Sequence, residues 1–253
     1  MLLRLSTMAP CFTASFIENN FMMAQAHTLD FHSPVPPFSA EQSFELNWEQ
    51  LFEEVDEGRA LGHDVKPVIT GPLTYLWQGK TKGHAFDKLD LLERLLPVYN
   101  EILVRLADQG VEWVQIDEPI LTLDLPQAWK SAFERAYHIL QYSPLKKLVS
   151  TDFSGLQDNL GLAAGLPVQG LHIDAVRAPD QLGQVLDRLP TYKILSVGLV
   201  NGRNVWRCEL EQALAQLQPA QERFGDNLWV SSSCSVLHRP VDLDLETNAS
   251  QRA

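Results

Sequence analysis

The sequence predicts an α/β fold built on a mostly parallel sheet, and three observations predict it. Six short apolar runs alternate with helical segments along the chain. These runs break off into polar or turn-forming residues, as strands buried on both faces do when they leave a sheet. Their spacing is irregular, which argues against a solenoid repeat. Two architectures fit, a (β/α) barrel and an open doubly wound sheet. No Gly-x-Gly-x-x-Gly follows the first run, so the dinucleotide-binding open sheet has no support.

Each element follows from its own residues. Residues 1–33 show no clear period of 2 or 3.6 and read as an irregular leader outside the pattern. Ser33-Pro34-Val35-Pro36-Pro37 is a stiff extended connector. The pattern from 34 to 253 is taken as one partial (β/α) barrel. Leu46 to Leu61 is expected to be helical, with Leu51, Phe52 and Val55 opposite Glu49, Glu53, Glu54 and Asp56. Val65 to Thr70 is a strand ended by Gly71-Pro72. Leu89 to Asp108 is a long amphipathic helix in which Pro97 implies a kink or a break. Trp113 to Asp117 is a strand, and Pro119 has no N–H for a sheet ladder. The remaining order is helix Gln127–Leu140, strand Leu145–Asp152, a short helix or turn Gly155–Ala164 and strand Gly170–Asp174. Helix Pro179–Leu189, strand Lys193–Val200, helix Glu209–Phe224 and strand Asn227–Ser233 complete it. The tail after Pro240 is polar and expected to fray.

Composition narrows the partners. The 253 residues carry a formal net charge of -12, which argues against nucleic acid or an anionic membrane as the main partner. Cys11, Cys208 and Cys234 are odd in number and widely spaced, so neither a disulfide framework nor a zinc knuckle is indicated, and a reducing cytoplasm is the default. The N-terminal apolar run is interrupted by Arg4, Ser6 and Thr7, a poor match to a signal peptide.

The residues at the strand ends carry whatever chemistry the chain has, because α/β folds build their sites at that edge. They are Thr70, Asp117 and Glu118, Thr151 and Asp152, His172 and Asp174, Asn201 with Arg203 and Asn204, and Ser232, Ser233, Cys234 and His238. Asp117, Glu118, His172, Asp174, Asn201, Arg203, Ser233 and Cys234 are the candidates for contact with a small polar ligand. Each also has a plain structural reading. Neighbouring strand residues point to opposite faces, so Asp117 and Glu118 are not an obvious acid–base pair, and one of them can cap a turn. His172 and Asp174 share a face and could ligate a metal, or the Asp could simply fix the imidazole. Asn201-Gly202 is a turn signal, Arg203 could grip an anion, and a lone Cys is more often a small buried hydrophobe than a nucleophile. No catalytic residue and no metal ligand is assigned.

Six segments together resemble the N-terminal domain of cobalamin-independent methionine synthase, the 5-methyltetrahydropteroyltriglutamate–homocysteine methyltransferase. They are VKPVITGPLTYLWQGK (Val65–Lys80), FDKLDLLERLLPVYNEIL (Phe86–Leu103), VEWVQIDEPILTLDLPQAW (Val111–Trp129), LPVQGLHIDAVRAPDQL (Leu166–Leu182), LSVGLVNGRNVWR (Leu195–Arg207) and LWVSSSCSVLHRPVDLDLET (Leu228–Thr247). The resemblance implies a (β/α)8 barrel, here incomplete with about six clear strands. It also implies a two-barrel enzyme whose C-terminal barrel carries zinc, on histidine, cysteine, glutamate and cysteine, together with the homocysteine site. The N-terminal barrel binds no zinc and helps hold the folate and its polyglutamate tail. His172, Asp174 and Cys234 resemble zinc ligands in position, with Asp for one Cys and no matching Glu. The family's Arg-Glu-Leu-Lys segment does not occur here, and Gln25–His32 stands where an Asn-Tyr-His-Tyr segment is expected. The expected protein is therefore a truncated barrel, inert by itself, that binds methyltetrahydrofolate polyglutamate, pairs with a chain carrying the C-terminal barrel, or self-associates. The other readings are a standalone non-catalytic folate- or partner-binding module and a relic of a broken reading frame.

Overall fold

The computed structural model describes residues 3–5, 22–25, 32–204 and 207–236. The chain opens with short strands, β1 (Leu3–Leu5), β2 (Met22–Gln25), β3 (His32–Val35) and β4 (Pro37–Phe38). Next come α1 (Gln50–Ala60), β5 (Val65–Thr70), α2 (Pro72–Gln78), β6 (Lys80–Thr81) and α3 (Leu92–Asp108). Then follow β7 (Trp113–Asp117), α4 (Gln127–Leu140), β8 (Lys146–Thr151), α5 (Leu160–Gly165), β9 (Gly170–Asp174) and α6 (Gln181–Arg188). The last are β10 (Ile194–Val200), α7 (Leu210–Phe224) and β11 (Leu228–Ser232).

One parallel sheet of order β1-β5-β7-β8-β9-β10-β11 organises the molecule. Its six longer strands are the six apolar runs of the sequence. The register sorts their side chains by face, because strand residues alternate. Ile69, Ile116, Val149, Leu171 and Leu195 form one lateral row, all buried under the helices. The opposite face carries Gln115, Ser150, His172 and Ser196.

That second face is concave. The rings of Trp113 on β7 and Trp229 on β11 lie 4.8 Å apart, and the Lys66 Nζ on β5 is 5.5 Å from the Trp229 centroid. In a flat sheet four strand spacings of ~4.8 Å would hold β7 and β11 about 19 Å apart. The sheet therefore curls, as an incomplete (β/α)8 barrel must. Lysines fasten the strand starts: Lys147 Nζ donates to the carbonyls of Ser143 and Leu145, and Lys193 Nζ to those of Ala164 and Leu166.

The structure departs from the sequence reading in several places. Residues 1–33 are not wholly outside the pattern, since Leu3 pairs with Val65 and Leu5 with Pro67. β2 and β3 pair antiparallel, and β3 crosses the boundary expected at residue 34. Strands of three or four residues are too short to show a period. Helix α3 spans Pro97 without a break and is preceded by a 3-10 turn, Lys88–Leu91. Gly71-Pro72 does more than end a strand: Pro72 stands at the start of α2, where its missing N–H costs nothing. The tail after Pro240 lies outside the described residues.

Beyond β10 the packing thins. Thr151, Ile173 and Val197 lie side by side on the outer face and are fully buried, yet Val230, next in that row on β11, is 58% exposed. Helix α7 packs through Ala213, Leu217, Ala220 and Phe224, while Leu210 and Leu214 are exposed. Among the described residues, no strand pairs with the far edge of β11.

Candidate functional site

Four strand ends converge on the concave face. Ser150 Oγ on β8 donates to Asp152 Oδ1 at 2.9 Å. The same oxygen lies 3.6 Å from His172 Nε2 on β9. The other ring nitrogen, Nδ1, is 2.9 Å from Ser196 Oγ on β10. A buried chain of hydroxyl, carboxylate, imidazole and hydroxyl thus crosses three adjacent strands. The hydrogen bond with Ser196 fixes the imidazole orientation, and the Asp152 carboxylate stands within ion-pair distance of the other ring nitrogen. Gly198, across from Asp174 in the register, makes room for the imidazole: a Cβ there would stand 3.0 Å from His172 Cε1 and 2.6 Å from Ser233 Cα.

Asp174 does different work. Its Oδ1 accepts from the N–H groups of Val176 and Arg177 at 3.0 and 2.8 Å, and its Oδ2 from Phe153 N at 3.1 Å. It closes the turn after β9 and ties that turn to the end of β8. Phe153 is held there with φ at +78°, although 46% exposed. Ser233 Oγ accepts from Gly202 N, and Asn201 Oδ1 accepts from Arg203 N at 2.8 Å, so the loop after β10 is pinned to the end of β11. The Arg203 guanidinium sits over the Phe153 ring, 5.3 Å from its centroid. Cys234 is buried beneath this loop. Burial, with the charges of Asp152 and Asp174, pushes its thiol above the usual range, so it is held as a thiol.

The two adjacent carboxylates part company. Asp117 faces the concave side, partly exposed, and accepts from Gln115 Nε2 at 2.6 Å. Glu118 points away into the helical layer and is wholly buried. Its carboxylate accepts from Leu73 N at 3.3 Å, Thr74 N at 2.8 Å, Thr74 Oγ1 at 2.6 Å and Tyr137 Oη at 3.2 Å. It caps α2 from a distant strand end and joins that helix to α4. Burial raises its pKa to about 7 against the pull of these four donors.

The candidate residues therefore fall into two sets. Glu118, His172, Asp174, Ser233 and Cys234 are buried, while Asp117, Asn201 and Arg203 reach the surface. His172, Asp174, Asn201, Arg203, Ser233 and Cys234 belong to one cluster. Glu118 stands outside it, His238 lies outside the described residues, and Asp117 lies on the β7 side of the same face. The set does not suit zinc. Among the described residues, no three His, Cys, Asp or Glu groups converge on a point where an ion could sit. Both Asp174 oxygens are engaged by backbone N–H groups, and Cys234 is held protonated.

Residues 19–225 match the family described as the cobalamin-independent synthase N-terminal domain. The chain belongs to that family. Solved structures agree on the fold. A B12-independent methionine synthase from Shewanella superposes with a TM-score of 0.66 over 86% of this chain and 68% of its own length, at 15% identity. A putative vitamin-B12-independent methionine synthase from Listeria monocytogenes gives 0.64 over 79% and 67%, at 17% identity. A methyltransferase from Methanosarcina mazei gives 0.65 over 93% and 74%, at 15% identity. At such identities the likeness is one of fold. Within this synthase-family domain, sequence reasoning did not single out Ser150, Ser196 or Phe153. Ser196 was within reach, since it lies two residues before Gly198 on the same face. Nothing in the sequence signals a left-handed backbone at Phe153.

Proposed function

We propose that this chain is the folate-holding barrel of a cobalamin-independent methionine synthase. In the reaction served, the methyl on N5 of methyltetrahydropteroyltriglutamate passes to the sulfur of homocysteine. The N–CH3 bond breaks as the S–CH3 bond forms, the proton lost by the thiol is balanced by one taken up at N5, and tetrahydropteroyltriglutamate leaves. The thiol needs activation, and a metal that lowers its pKa would provide it. The described residues do not fit that metal, so no step is routed through it here. The zinc and homocysteine site is assigned to the family's second barrel. The observation that carries the reading is the family match over 19–225, and the polar cluster at the strand ends of the concave face supports it.

The test is thermal unfolding of the purified chain with methyltetrahydropteroyltriglutamate, with zinc and homocysteine as controls. Ligand at a hundred times its Kd stabilises the folded form by about 2.7 kcal/mol. For a domain of this size that corresponds to a rise in Tm of roughly 5–10 °C. Folate should give the shift and the controls should not. A shift with zinc or homocysteine alone, or methionine formation by the isolated chain, would overturn the reading.

A further inference from the structure

We propose that Phe153 and Arg203 form a clamp for the planar aromatic, carboxylate-bearing part of the ligand. This assignment rests on the folate reading above and gives it an address. Phe153 follows β8 at the C-terminal end of the sheet and Arg203 follows β10, so the pair spans the mouth over β9. A large side chain at φ +78° is sterically costly, and here it holds an exposed ring that no packing requirement explains. The surroundings enforce the geometry: Phe153 N donates to Asp174, whose other oxygen holds the turn after β9. Arg203 is fixed just as deliberately, through Asn201 and through the contact of Gly202 with Ser233. The guanidinium stands 5.3 Å from the ring centroid, and its planar fork of N–H donors matches a carboxylate. Among the described residues, no carboxylate lies within ion-pair distance of Arg203. An aromatic ring stacked beside Phe153 with its carboxylate on Arg203 satisfies both groups. The 4-aminobenzoylglutamate portion of a folate has that form.

The experiment titrates 4-aminobenzoylglutamate and, separately, methyltetrahydropteroyltriglutamate into the wild-type chain, Phe153→Gly, Arg203→Met and Arg203→Lys, with Tm measured for each. Loss of the ring should weaken binding roughly three- to tenfold, the scale of an aromatic contact. Loss of the guanidinium should weaken it about ten- to a hundredfold, and lysine should restore only part. Phe153→Gly should also raise Tm, since glycine takes a positive φ without strain. A ring kept only for packing would give the opposite, a lower Tm and unchanged affinity, and would overturn the clamp. Folate binding equal in all four proteins would sink the clamp and leave the folate reading standing. Fragment binding that depends on both residues, with no affinity for the whole folate, would keep the clamp and sink the folate reading. No binding of either ligand would sink both.

Discussion

The close approach of Gly71 to Glu118 permits a sharp test of how the first half of the sheet is locked to its helices. A Cβ built on Gly71 would stand 2.0 Å from Glu118 Cδ, 2.1 Å from Oε1 and 2.4 Å from Cγ. Carbon atoms in contact sit at about 3.5–4.0 Å, so a methyl group falls short of the space it needs by about 1.5 Å. Backbone strain is not involved, because Gly71 has φ -72° and ψ 153°, which alanine adopts freely. In Gly71→Ala the carboxylate must therefore withdraw from Leu73 N, Thr74 N, Thr74 Oγ1 and Tyr137 Oη. A hydrogen bond to a charged group contributes about 1.5–3 kcal/mol, so losing two of the four costs about 4 kcal/mol. Against a total of roughly 5–15 kcal/mol for a domain, that is severe. Urea unfolding followed by circular dichroism reads it directly. In a Glu118→Ala background the obstructing atoms are gone, and Gly71→Ala should then cost less than about 1 kcal/mol. A loss below about 1 kcal/mol in the wild-type background would refute the reasoning, as would equal losses in both backgrounds.

Two other outcomes are expected. Glu118 has a folded pKa of about 7 against an ordinary 4.5, so its contribution to stability is fully present below about pH 4.5 and lost as pH rises through 7. A shift of 2.5 pKa units corresponds to about 3 kcal/mol. Unfolding free energies of wild type minus Glu118→Gln should fall by that amount from about pH 4.5 to about pH 8, and a flat difference would refute the assignment. The far edge of β11, Leu228–Ser232, carries no charge or proline to discourage pairing, and Val230 leaves its outer face apolar. Sedimentation at tens of micromolar should show species heavier than the 28.5 kDa monomer, reduced by Val230→Lys, whereas a monomeric wild type would count against it.

What could be seen in the sequence depended on how many residues cooperated to show it. The six long strands were legible because each carries a short apolar run that breaks off at a turn or polar signal, as Trp113–Asp117 does before Pro119. β1 was not, because Leu3–Leu5 offers only three residues. Pro97 was expected to disturb α3, but Leu95, Leu96, Val98 and Tyr99 around it are all buried, and that packing keeps the helix continuous. Strand alternation separated Asp117 from Glu118, yet it could not say that Glu118 would cap a helix some 44 residues earlier in the chain. His172 and Asp174 were rightly placed on one face, but only the fold brings Ser196 to one and Phe153 N to the other. Long-range partners of this kind are set by topology, and a single sequence does not print them.

The contact between Trp113 and Trp229 gives the protein an optical gauge. Two indoles with centroids 4.8 Å apart and planes inclined at 61° couple their transitions, and the coupling produces a paired positive and negative band in the circular dichroism spectrum. Trp113 comes from β7 and Trp229 from β11, so the signal is present only while the sheet keeps its curl. Backbone bands would not distinguish a curled sheet from one that has sprung open with its strands intact. Any agent that straightens the sheet should erase the couplet first, before the helical spectrum changes.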